Sequence, residues 1–434
     1  MHESFQKTIS TGAYWSILFG IINKAGTFFG QIAIAWFLAP KDFGLAAIAL
    51  VFLQVSSLYS AGGMKTLLVQ RADHFSAQAP NVFWASTAMN LSIGAAIIVL
   101  AEPISKFFGE TDLPPLLWAV GVAVAVNGFQ TIYFAKIQSE LRFKTVSAIK
   151  LGEGLLQTAL VLILAYLGFG AISIVIPRFI TSAISFALAF WMAGKIRITR
   201  PALKSSAKIA RSAFPLFLFS VLSAMTLQAP IIALSRLTDA TTVGLFYWGL
   251  QISSQSIFLL ATNLREVYIP GLAYANRSGG EVDAIIRKAQ IAMSFWVTAI
   301  CAIQFFSATF LIDLFFDKKW LPAAEVIRWT SVGLLFTPLN VLSVSHLISS
   351  KQNALSVKIT ILQIVFVTVG VASGALIGGL TAISAGFAAG NLAGHFSAGL
   401  ISAKIRHTRT LYFVRDAMAI PLISLAVMSI ARFV

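Results

Sequence analysis

The chain has 434 residues, 58% of them hydrophobic and only 11% charged, less than half the charged share of an ordinary soluble domain, about 25%. A soluble fold of this length cannot hide that much apolar surface, which excludes a soluble enzyme. The net charge of +16 would suggest nucleic acid in a soluble protein, but where the charge lies decides otherwise.

The apolar residues come in long runs, and about 20 in a row span a bilayer's hydrocarbon core. In chain order, spans are predicted at about 13–38, 43–63, 80–101, 115–134, 151–167, 171–193, 213–234, 243–274, 291–316, 323–349, 359–377 and 380–402. A thirteenth candidate, 417–431, is 15 residues long. With ~17–25 the usual range, crossing and not crossing stay equally open. The first twelve residues are polar and the run after them is too long for a signal sequence, so no cleavable signal is expected. The single cysteine, Cys301, lies in an apolar run and excludes an intramolecular disulfide.

Lysine and arginine sort by side. Segments 1–12, 64–79, 135–150, 194–212, 275–290, 350–358 and 403–416 hold 22 of the 32, while the opposite loops hold 5. The rich side, N-terminus included, is read as cytoplasmic. The basic excess is then the positive-inside signal, and no nucleic-acid partner is expected. In the longest loop, 194–212, Arg200, Lys204, Lys208 and Arg211 fall on one helical face, with Pro201 suited to a first turn. The loop reads either as a plain linker or as a surface helix on anionic lipid.

At this loop the chain divides into two halves of six spans, with domains expected at 1–194, 195–212 (a basic linker), 213–403 and 404–434. The stretch from Phe37 through Pro40 and Asp42 to Leu45 matches that from Arg236 through Asp239 to Leu245. Each ends a span, turns, and restarts at Gly-Leu. From Gly44 and Gly244 onward the offset is 200, which pairs Lys65 with Arg265. An even number of spans per half makes the halves parallel repeats, a transporter signature with the substrate site between the halves near mid-membrane.

Charges inside spans are costly and tend to be functional. Lys24 sits twelve residues into a 26-residue span, about 18 Å from either end. A lysine stem cannot snorkel that far, so the amine faces water, a carboxylate or an anionic ligand, or else bonds Asn23 and nearby carbonyls. Arg265 and Glu266 lie late in the eighth span, as a local pair or as separate groups. Arg178 follows Pro177 early in the sixth span and Arg328 lies early in the tenth; near an interface, snorkelling is the default. Glu153 and Glu325 are also near span ends. His346 and His395 read as packing groups. Gly386, Gly390 and Gly394 form a small-residue seam for close helix contact, and Pro230 and Pro338 are hinges or simple kinks. Asp313 and Asp317 read as a solvated rim. No nucleotide loop, metal-ligand spacing or nucleophilic triad appears, and no cofactor is expected.

Several stretches carry a family resemblance: Gly12-Ala13-Tyr14-Trp15-Ser16, Leu38-Ala39-Pro40-Lys41-Asp42-Phe43-Gly44-Leu45, Leu68-Val69-Gln70-Arg71, Glu140-Leu141-Arg142-Phe143-Lys144, Gly168-Phe169-Gly170-Ala171 and Arg265 to Ala273. In order and spacing they resemble the polysaccharide-transport flippases of the multidrug/oligosaccharidyl-lipid/polysaccharide exporter superfamily. The resemblance implies an all-α integral membrane fold, two six-helix bundles around a central cavity in the bacterial inner membrane. It implies transport of an undecaprenyl-pyrophosphate-linked oligosaccharide to the periplasmic leaflet, alongside membrane lipids and other polysaccharide assembly proteins. In related lipid-linked-precursor flippases, basic residues on the first and eighth spans hold the pyrophosphate. Lys24 and Arg265 fall on those spans, so Lys24, Arg265, Asn23 and Arg178 are the candidate substrate-binding residues. The chain departs from many such relatives at Gln228-Ala229-Pro230, where they carry Asn or Asp. A multidrug antiporter should show carboxylates deep in the spans, and a membrane sugar polymerase or ligase a large outer loop; neither is seen here. A cell-wall-precursor flippase shares the cationic cavity, but the cytoplasmic signatures fit the polysaccharide branch better.

Overall fold

The computed structural model describes residues 2–58, 65, 68, 75–199, 203–255, 257, 272, 282–350, 352–405, 421 and 423–424. The described residues contain no strand. In hydrocarbon every backbone N–H and C=O must bond within its own segment, which a helix achieves and an open strand does not. The helices are α1 (His2–Phe37), α2 (Pro40–Leu58), α3 (Phe75–Val99), α4 (Ala101–Phe108), α5 (Pro114–Ser139), α6 (Phe143–Tyr166) and α7 (Ile172–Ala193). There follow α8 (Leu203–Leu237), α9 (240–255), α10 (Val282–Phe315), α11 (Ala323–Leu334), α12 (Thr337–Ser349), α13 (Asn353–Ile377) and α14 (Leu380–Ile405). Among the described residues, seven helices are long and apolar enough to cross a membrane, and α11 with α12 makes an eighth if the bent pair is one span. The chain is an all-α, multi-pass membrane protein. Arg265, Glu266 and most of the thirteenth candidate lie outside the described residues.

The chain forms two compact units, Met1–Ala224 and Met225–Val434. In the first, α5 is the central helix: 56% of its span window is buried, against α2, α3 and α7. Helix α3 approaches it at Gly94, whose missing side chain leaves room for the Gly121 carbonyl. Helix α1 lies along α6, with Asn23 on Gly154, Gly26 on Leu155 and Gly30 on Thr158. In the second unit, Gly370 meets Gly386, and Gly390 sits on the backbone of Phe366 and Val367. The expected seam therefore joins α14 to α13. Gly394 faces the Gln363 side chain, which accepts a 3.0 Å hydrogen bond from Asn340 Nδ2. We predict that Gly386→Val will lower the yield and melting temperature of the membrane-extracted protein. Its Cβ would collide with the Gly370 carbonyl, and overpacking costs about 1–3 kcal/mol; unchanged melting would refute the seam.

Three features refine the predicted spans. The polar segment from His2 on is part of α1. The basic stretch is not a separate surface helix from Leu203 onward, because one helix runs from Leu203 through the seventh span to Leu237, while 194–199 carry no regular secondary structure. Hydropathy changes at a membrane boundary, but without a strong breaker there the backbone bonds continue. The tenth span, 323–349, bends by 44° between Leu334 and Thr337, an interruption of the kind expected from Pro338. Pro338, in the first turn of α12, has no N–H to offer the Leu334 carbonyl, so the ladder stops there. Phe336 at the break packs on Phe396 of α14, ring centroids 5.3 Å apart.

The internal repeat is visible in backbone. Helix α1 ends at Phe37 and α2 starts at Pro40; α8 ends at Leu237 and α9 starts at position 240. In the first turn Asp42 Oδ2 accepts the Ala39 N–H at 2.9 Å. In the second, Asp239 accepts the Thr241 N–H at 3.2 Å and the Thr242 hydroxyl at 2.6 Å. Burial alone would raise the Asp239 pKa, but these hydrogen bonds outweigh it and hold the carboxyl below its ordinary range.

Candidate functional site

Inside the first unit, α2, α5, α6, α7 and Lys65 line an open cavity of about 300 Å³. Its wall is polar where hydrocarbon-spanning helices are normally apolar. Helix α5 contributes Asn127, Gln130 and Thr131, α2 contributes Gln54, and α6 contributes Lys150, Glu153 and Gln157. Arg178 and Ser182 of α7 and the Lys65 side chain complete the polar lining. Three basic groups thus share the space with one carboxylate, among the described lining residues.

The positions follow from helix geometry. Residues 150, 153 and 157 are three and four apart, so all lie on one face of α6. Lys150 is seven residues past Phe143, about 10 Å into the helix, and Arg178 is fifteen before Ala193, about 22 Å from that end. The cavity therefore extends along the bundle from near the start of α6 toward the start of α7. Lys150 Nζ lies 3.6 Å from Glu153 Oε2 and 5.1 Å from the Phe134 ring centre. Gln130 Nε2 donates to Asn127 Oδ1 at 2.6 Å. The Ser86 hydroxyl donates to Thr131 Oγ1 at 3.2 Å, which fixes one amide-rich wall of the cavity against α3.

The candidate residues fall in different places. Arg178 lines the cavity instead of snorkelling to the nearer end of α7, ~9 Å away by helix rise. Lys24 is exposed on α1, while its neighbour Asn23 turns to Gly154 of α6. Asn23 Oδ1 is buried and accepts no hydrogen bond, so it does not tie down the Lys24 amine. Arg265 lies outside the described residues. Glu325 and Arg328, both expected near a span end, pair with each other at 2.9 Å. His346 Nδ1 lies 3.4 Å from Ser402 Oγ, and both ring nitrogens of His395 are buried without a hydrogen-bond partner. Asp313 is exposed, and Asp317 pairs with Lys319 at 3.3 Å.

Lys65 and Lys150 were not singled out as ligand groups from sequence. Two signals point to them: the 200-residue offset that pairs Lys65 with Arg265, and the 150/153/157 spacing on one helical face.

Four of the six signature stretches carry docking contacts. Lys144 of the Glu140–Lys144 stretch places Nζ 4.4 Å from the Trp15 ring centre, joining two motifs 129 positions apart. Arg142 donates to the Met192 carbonyl at 2.8 Å and so caps the C-terminal end of α7. Just before Arg142, Leu141 adopts φ 58°, a left-handed conformation uncommon outside glycine. Gly170, at φ 57°, abuts the Asp42 carboxylate. A side chain there would meet both the positive φ and that oxygen.

Solved structures share the fold. A lipid II flippase, MurJ, in an inward closed conformation superposes with a TM-score of 0.74, at 14% identity, covering 98% of this chain and 92% of its own. An inward-facing multidrug resistance transporter of the MATE family gives 0.67 at 16% identity, over 88% and 94%. At such identities the likeness is one of fold, two six-helix bundles. Residues 33–325 match the family described as polysaccharide biosynthesis protein, and the chain belongs to that family. Succinoglycan biosynthesis transport protein ExoT of Rhizobium meliloti is 23% identical over 250 residues, 55% of this chain. Lipopolysaccharide biosynthesis protein WzxC of Escherichia coli is 22% identical over 336 residues, 76% of this chain. The matched part is 49% of the length of ExoT and 68% of that of WzxC.

Proposed function

We propose that this protein flips an undecaprenyl-pyrophosphate-linked oligosaccharide from the cytoplasmic to the periplasmic leaflet of a bacterial inner membrane, with its N-terminus in the cytoplasm, for surface polysaccharide assembly. The observation that carries the reading is the cavity in which Lys65, Lys150 and Arg178 face one carboxylate. A pyrophosphate cannot enter hydrocarbon bare. Cations and amides replace its hydration shell while the lipid tail stays in the bilayer. Lys24, exposed on α1, and Arg265, the repeat partner of Lys65, serve as further phosphate ligands. The two halves alternate in opening to the two leaflets, as the parallel repeat suggests. The names of the relatives, a succinoglycan biosynthesis transport protein and a lipopolysaccharide biosynthesis protein, support the same substrate class.

A cationic drug would be repelled by this cavity, which disfavours the multidrug reading despite the shared fold. The test is flipping in proteoliposomes of a short-chain prenyl-pyrophosphate-linked sugar. The native protein should move it, and the double variant Lys65→Ala, Lys150→Ala should be roughly ten-fold slower or worse, since each charged hydrogen bond contributes about 1.5–3 kcal/mol. Equal rates for the two proteins would remove the cavity from the transport path.

A further inference from the structure

Glu153 stands out in the cavity because it has the wrong sign for the ligand proposed above. Its side chain is 22% exposed, against 56% for Lys150, so the carboxylate is the more buried member of the pair. An anionic ligand entering the cavity meets Lys65, Lys150 and Arg178 but also this fixed negative charge. Left alone, three cations lining one cavity would repel one another. A counter-anion one helical turn from Lys150 relieves that repulsion when no ligand is present.

We propose that Glu153 is a built-in counter-anion that holds Lys150 while the cavity is empty, yields it to the incoming phosphate, and recaptures it as the ligand leaves. This rests on the reading of the cavity as the headgroup site. A transported ligand must bind well enough to enter and weakly enough to depart, and Glu153 sets the second condition. The exchange needs no bond chemistry. Lys150 trades one oxyanion for another, and the geometry already places Glu153 Oε2 within 3.6 Å of the amine. With Glu153 in place the described lining carries a net charge of two positives, the magnitude needed to neutralise a diphosphate esterified at both ends.

Glu153→Gln keeps the size of the side chain and removes only its charge. Purified full-length protein in lipid nanodiscs, titrated with inorganic pyrophosphate by calorimetry, should bind roughly ten-fold or more tightly as Glu153→Gln, because a like charge within several ångströms has been removed. In proteoliposomes the same variant should flip a prenyl-pyrophosphate-linked sugar more slowly than the native protein, with release now limiting. Glu153→Asp, which retains the charge, should stay near native on both measures. Lys150→Ala serves as the control for the headgroup reading and should weaken pyrophosphate binding. If Lys150→Ala weakens binding while Glu153→Gln leaves it unchanged or weaker, the counter-anion role is overturned and the headgroup site survives. If neither variant changes affinity, the cavity is not the phosphate site and both readings fall together.

Discussion

Lys24→Ala will abolish surface polymer while leaving the protein in the membrane at its normal level. The side chain is exposed, and the packing at this point of α1 belongs to Asn23, Gly26 and Gly30 against α6. Truncating Lys24 therefore removes charge and no contact that holds the bundle, and losing a charge does not hinder insertion. A charged hydrogen bond to phosphate contributes about 1.5–3 kcal/mol, so the transport rate should fall roughly ten-fold or more. Lys24→Arg should keep part of the activity, since charge survives and shape changes. The assay is polymer at the cell surface with membrane-fraction protein quantified in parallel. Normal polymer from Lys24→Ala at normal protein level would show that the amine takes no part in binding.

Arg178→Ala should be at least as damaging, for a different reason. Its guanidinium is one of three cations in the cavity, and without it Glu153 is balanced against two lysines alone. The bound diphosphate would then lose both an attractive charge and a planar donor that can engage two oxygens at once. We expect pyrophosphate affinity to drop by roughly ten-fold or more, and Arg178→Lys to recover only part of it, because an ammonium is a point charge without the fork. Calorimetry on the purified protein measures this directly. Native affinity in Arg178→Ala would place the guanidinium in a packing role beside Pro177.

The fold was largely legible because hydropathy is the property that selects spans. The predicted spans 13–38, 115–134, 171–193 and 359–377 each coincide with a span-length helix. What hydropathy does not register is where a helix stops. Helices α1, α8 and α10 run into polar sequence on the basic side because no breaker interrupts them there, whereas the tenth span breaks inside an apolar run at a proline. The candidate site was legible only in part. Depth singles out Lys24, but depth along one helix says nothing about which helices face it, and Arg178 looked like an interface residue until α6 and α7 were seen to close around it. The resemblance motifs mislead in a specific way. Trp15, Asp42, Arg142, Lys144 and Gly170 are recognisable because turns must dock on one another. The cavity residues Lys65, Lys150 and Glu153 lie outside the strongest of those motifs.

The two equivalent turns, at 38–39 and 238–239, bear on the history of the chain. Helix, break and restart recur 200 positions apart, the pattern left by duplication of an ancestral half. Yet the hydrogen bonds that close the turns are not the same. One copy reaches back from Asp42 to the Ala39 N–H, and the other reaches forward from Asp239 to Thr241 and Thr242. The carboxylate has moved by three places in the register while the backbone path has stayed. Divergence after duplication was thus free to exchange the atoms of the joint so long as the joint remained. The same freedom would let the two descendants take on different ligands, and a search for lost ancestry in such chains should compare turns before it compares residues.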